Sequence, residues 1–140
     1  MKTIFAAGII AAAATFGATT AFAEGNLASQ PTRLVLDIDT RALEFSETEF
    51  QLETGKYYVW EINHDGYEEL MIQAPTLLRN SWINQVVIND LEVHTATFYG
   101  VEFDDEGTLT ISFVPIRPGN YDFFAPGFED RGLKGTFVVR

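Results

Sequence analysis

His64 and His94 are the only imidazoles in this 140-residue chain, and the chain has no cysteine. Without a thiolate there is no cysteine nucleophile, no iron–sulfur cluster and no thiolate-bound copper. What remains for metal chemistry is imidazole plus carboxylate, donors suited to copper(II), iron(II) or zinc. The carboxylates are plentiful. Glu68 and Glu69 are adjacent, Asp104-Asp105-Glu106-Gly107 is an acidic turn, and Glu129-Asp130-Arg131 is a further charged run. Neighbouring residues of a strand point to opposite faces, so only one of Glu68 and Glu69 joins a given site. The acidic turn lacks the ligand spacing of an EF-hand loop and reads as a solvated turn. His64, followed by Asp65-Gly66, also reads as a solvated turn residue, and His94 as a strand residue that either faces solvent or packs at the edge. A metal site would have to join His64 and His94 to carboxylates such as Glu69 and Asp104. No nucleophile elbow, phosphate loop or dinucleotide fingerprint occurs, and neither histidine has a serine and a carboxylate in supporting context. No enzyme is expected.

The start of the chain bears on its compartment. Met1-Lys2 gives a short positive opening, an uncharged apolar run follows from Ile4 to Phe16, and Ala21-Phe22-Ala23 supplies a small-residue cleavage pattern. Residues 1–23 read as a secretory signal peptide, and residues 24–140 as one mature domain in a bacterial periplasm. The apolar run is too short to span a bilayer and no second one follows, so no membrane span is expected in the mature chain. The formal charge of the whole chain is −11. Losing Lys2 with the signal makes it −12, which repels nucleic acid and favours cations or a basic protein partner. Solubility alone also accounts for such a surface. No feature specifies an oligomeric state.

The elements that must position these groups are strands almost throughout. Leu34, Leu36 and Ile38 alternate with Val35, Asp37 and Asp39, the period of a half-buried strand. Phe50 to Glu53 alternates likewise, and Tyr57 to Ile62 is an aromatic and β-branched run ending at an Asp-Gly turn. Further strands are expected at 69–73, 85–89, 91–95, 97–103, 108–114, 121–124 and 135–139. The stretch 76–82, after Pro75, fits a helical turn or two within a loop. Short strands with turn signals at near-regular spacing predict an all-β antiparallel sandwich or barrel with one short helical segment.

Two stretches carry a family resemblance. Phe45-Ser46-Glu47, Phe50 to Thr54, Gly55 and Tyr57 to Asn63 resemble the N-terminal half of cupredoxins, the blue copper proteins. Phe113-Val114-Pro115, Pro118 to Phe128 and Gly132 to Val139 resemble their C-terminal ligand loop and its flanking strands. The resemblance implies a Greek-key β-sandwich. It also implies where the copper ligands stand in that family, and here those positions hold Ala125 for the cysteine, Phe128 for a histidine and Leu133 for the methionine. The first histidine position falls on or near Glu69. Three of the four side chains cannot donate to a metal, so blue copper electron transfer is excluded and no cofactor is expected.

Ala125, Phe128 and Leu133 are instead expected to plug the emptied pocket. In copper-bearing relatives the apolar surface around this loop is where partner proteins dock. The resemblance therefore implies a docking surface at Pro126, Phe128, Glu129 and Leu133, joined in one arrangement by Trp82 and Phe98-Tyr99, facing a periplasmic protein partner. The alternative expectation is a protein holding one copper, iron or zinc ion at a non-blue His/carboxylate site.

Overall fold

The alternating pattern folds into two packed sheets in the computed structural model, which describes residues 27–95 and 97–140. The expected signal peptide, residues 1–23, lies outside the described residues. One sheet has the order β2 (Glu44–Phe45), β1 (Thr32–Asp39), β4 (Tyr58–His64), β9 (Gly107–Pro115), β6 (Ser81–Ile88) and β7 (Leu91–Val93). The other has the order β3 (Glu49–Leu52), β11 (Lys134–Val139), β10 (Gly119–Phe124), β5 (Leu70–Gln73) and β8 (Gly100–Phe103). A short helix α1 (Pro75–Arg79) joins β5 to β6, and a 3₁₀ turn (Glu129–Arg131) sits in the loop before β11.

Two ladders depart from the all-antiparallel expectation. β1 runs parallel to β4, from Thr32 opposite Tyr58 to Ile38 opposite His64, and β3 runs parallel to β11. Neither pair is joined by a hairpin: β2 and β3 intervene between β1 and β4, and most of the chain separates β3 from β11. Only a tight hairpin forces the antiparallel sense. Local boundaries move too. The helical stretch ends at Arg79, because Ser81 and Trp82 already pair with Pro115 and Val114 as the start of β6. The strand expected at 69–73 begins at Leu70, leaving Glu69 in the preceding loop.

The core lies where the two inner faces meet. Tyr58, Trp60 and Ile62 of β4 point inward at every second residue and are at most 2 % exposed. Across the interface Trp60 meets Phe123 and Phe137 edge-on, at 5.7 Å and 4.9 Å between ring centroids. Phe50 stacks on Phe137 at 5.3 Å. Such aromatic pairs add about 0.5–1.5 kcal/mol each beyond area burial. Gly135 is required here, since a Cβ at that position would lie 2.1 Å from the Phe123 ring. The aromatic layer fixes the sheets against each other, and with them the loops at one end of the sandwich.

Candidate functional site

Those loops hold the residues singled out in the sequence. The loop from Ala125 to Leu133 is closed by its own backbone: Ala125 N–H donates to the Leu133 carbonyl (3.0 Å), Phe128 N–H to the Ala125 carbonyl (3.0 Å), and Leu133 N–H to the Phe128 carbonyl (3.2 Å). Gly132, at φ 109°, supplies the left-handed step that turns the chain back. Ala125 and Leu133 are fully buried and Phe128 is half-buried against the same core cluster. Leu133 is therefore no part of an exposed docking surface. It keeps step with Gly135, Phe137 and Val139, the inward set of β11, so strand parity turns it into the core. Of the four surface candidates, Pro126 is exposed, Phe128 and Glu129 are partly so, and Glu129 accepts the Gly127 N–H at 2.7 Å.

His64 is also corrected. The histidine is the last residue of β4 and 3 % exposed, because it continues the inward series of Tyr58, Trp60 and Ile62 despite the turn signal that follows. Gly66 N–H donates to its Nδ1 (3.1 Å), the Asp105 carbonyl lies 3.2 Å from the same nitrogen, and Nε2 is buried without a partner among the described residues. His94 follows β7, is 74 % exposed and lies 3.6 Å from Glu92.

Glu69, by contrast, is exposed beside Glu102 and Asp104. A hydrogen bond shared with Glu102, then the charges of Glu102 and Asp104, hold its carboxyl above the ordinary 4.5. The charge of Asp104 is thus felt at Glu69, and neither histidine is among the groups that act on it. Among the described residues no three His, Cys, Asp or Glu side chains are grouped to hold a metal ion. The donor set does not fit type 1 copper, which needs a thiolate and two imidazoles.

Beside the plugged loop lies a cavity of about 360 Å³. Thr40, Arg41 and Leu43 form one wall, Tyr67, Glu68, Glu69 and Leu70 a second, and Phe128 and Arg131 a third. Its walls are pinned together. Thr40 donates through its hydroxyl to Asp65 Oδ1 (2.6 Å) and through its N–H to Oδ2 (3.0 Å), and Glu68 N–H donates to the Thr40 hydroxyl (3.1 Å). The slight desolvation of the Asp65 carboxyl works to raise it. The Thr40 hydroxyl, the Tyr67 and Thr40 N–H groups and His64 outweigh that desolvation and hold it below 3.8. The Arg41 guanidinium sits 4.4 Å over the Tyr67 ring and that of Arg131 sits 5.3 Å over Phe128.

Sequence reasoning missed Thr40, Arg41 and Tyr67. No local sequence signal marks them: the parallel register of β1 and β4 sets Ile38 opposite His64 and so brings Thr40 to Asp65. Phe98 and Tyr99 line a separate cavity of about 430 Å³ that shares no residue with the first.

No protein-family model matches the chain, and no curated protein matches it. Solved structures do. A dithionite-reduced auracyanin of the photosynthetic bacterium Roseiflexus castenholzii is similar over 78 % of this chain and 97 % of its own, at TM-score 0.53 and 17 % identity. Auracyanin A, a "blue" copper protein from Chloroflexus aurantiacus, is similar over 79 % of this chain and all of its own, at TM-score 0.52 and 13 % identity. A multicopper oxidase from Campylobacter jejuni matches 85 % of this chain at TM-score 0.55 and 8 % identity, and the match spans only 32 % of the oxidase. Two mixed sheets, a loop closed between β10 and β11, and these likenesses agree: the chain has the cupredoxin fold, with no cysteine to complete a blue copper centre.

Proposed function

We propose that this chain is an exported, periplasmic cupredoxin-fold accessory module without a type 1 copper centre, and that it acts through a protein partner in metal handling, transport or respiration. The observation that carries this reading is the closed and packed loop. Ala125 and Leu133 are buried where donor atoms would be needed, yet the loop keeps its hydrogen bonds and leaves Pro126 and Phe128 at its surface. Packing replaces a metal as the source of its stability. A polar rim from Glu129 and Asp130 around an apolar centre is the arrangement of a small docking face. Export rests on the charged opening, apolar run and cleavage pattern of residues 1–23. Among the described residues no helix is long and apolar enough to cross a membrane.

The test is site-specific photo-crosslinking in living cells, with the reactive residue placed at Phe128 and, as a control, at exposed Glu47. One discrete adduct from position 128 and none from 47 is the expected result. Elemental analysis of the same protein, purified without chelator, accompanies it. No adduct at position 128, or one equivalent of copper, iron or zinc, would overturn the reading.

A further inference from the structure

The cavity beside Phe128 holds two positive charges in a chain otherwise dominated by acids. Arg41 and Arg131 both line it, and neither guanidinium has a hydrogen bond or ion pair to another described residue. Arg131 has Glu129 and Asp130 as immediate neighbours, yet the Glu129 carboxylate is held by the Gly127 N–H. Each guanidinium lies over an aromatic ring instead, Arg41 over Tyr67 and Arg131 over Phe128. With no hydrogen bond or ion pair to another described residue, the N–H edges of both guanidinium groups are available, and such an edge matches a carboxylate in two-point contact.

Each arginine sits on a different loop, and the wall between them carries Glu68 and Glu69. A simple anion would meet the arginines but be repelled by these carboxylates. A simple cation would meet the reverse. A molecule bearing one carboxylate and one ammonium satisfies both walls. Tyr67 and Phe128, with Leu43 and Leu70, supply apolar surface for its body. The volume of about 360 Å³ falls within the range of small-molecule sites, about 300–1,000 Å³. The hydrogen bonds that join Thr40 to Asp65 and Glu68 hold two of the walls in place before anything binds, which lowers the ordering cost of binding.

From this arrangement we infer that the cavity binds a small zwitterion with an apolar body, of the apolar amino-acid or dipeptide class. Its carboxylate is held by Arg41 and Arg131 and its ammonium by Glu68. The cavity shares Phe128 with the docking face proposed above, but its charged groups Arg41, Arg131 and Glu68 lie outside that face, so the inference stands whether or not that partner exists.

The test is calorimetric titration of the folded protein with L-leucyl-L-phenylalanine, with its C-terminal amide, and with its N-acetyl form. The dipeptide binds and raises Tm, while each modified peptide, lacking one of the two charges, binds at least about tenfold more weakly. Arg41→Gln and Arg131→Gln each weaken dipeptide binding by about tenfold or more, and Glu68→Gln by several-fold. These side chains are exposed, so circular dichroism and Tm of the free variants stay as in the parent. Absence of heat and of a Tm shift with both the dipeptide and free L-phenylalanine at about 10 mM would overturn the inference. So would equal binding of the amide or acetyl form, or binding unchanged in the doubly substituted R41Q/R131Q protein.

Discussion

The imidazole of His64 lies flat on the ring of Phe103, with centroids 5.0 Å apart and planes 11° from parallel. The ring fills a core position at the end of β4, and its Nδ1 serves the loop that carries Gly66 while its Nε2 serves nothing. Packing, more than hydrogen bonding, should hold it there. His64→Phe keeps the stack and removes the unpartnered Nε2 but also the acceptor of the Gly66 N–H, so a net cost of about 1 kcal/mol is expected. His64→Ala removes the ring and is expected to cost about 2–4 kcal/mol. Urea denaturation midpoints at neutral pH check both.

The two perturbed carboxyls act on stability with opposite signs. Asp65 is held below 3.8, so its contribution is present above that value and is lost as pH falls through the lower folded value. Asp65→Asn should lower stability at pH 7 by about 1 kcal/mol, a figure kept small because the side chain is exposed, and should flatten the acid limb. Glu69 is held above 4.5, so its ionised form opposes folding at neutral pH and the penalty disappears as pH falls through the raised value to 4.5. Glu69→Gln should raise Tm at pH 7 and lose that advantage below pH 4.5. Thermal melts across acid and neutral pH read both effects.

Trp60 is 1 % exposed with its N–H unpartnered, and Trp82 is 47 % exposed. Trp82→Phe should therefore leave only blue-shifted emission that resists acrylamide. Trp60→Phe should leave red-shifted emission that acrylamide quenches several-fold more strongly. Steady-state fluorescence of the two variants is sufficient.

Installing donor atoms tests whether the four positions that the resemblance matches to copper ligands converge. The combined variant Glu69→His, Ala125→Cys, Phe128→His and Leu133→Met should give intense visible absorption on adding copper(II), from thiolate-to-copper charge transfer, while the parent gives none. A folded quadruple variant that stays colourless would mean that residue 69 does not reach the plane of positions 125 and 128.

The sandwich and the exclusion of blue copper chemistry were both legible in the residues alone. Alternation from Leu34 to Ile38 and from Tyr58 to Ile62 reports which face is buried, because side chains of a strand alternate whatever their partners are. The absence of cysteine needs no structure to exclude a thiolate ligand. Tertiary structure decided the rest. The turn signal at Asp65-Gly66 suggested a solvated His64, but strand parity carried the imidazole into the core. Leu133 is expected both to plug the loop and to line its docking surface, but it precedes β11 in step with that strand's inward set and is buried. The cavity joins Arg41, Glu68 and Arg131, residues far apart in the chain, through a parallel register of β1 with β4 and a closed loop after β10. Register between distant strands is set by the packing of both faces at once, and no local window of sequence contains that information.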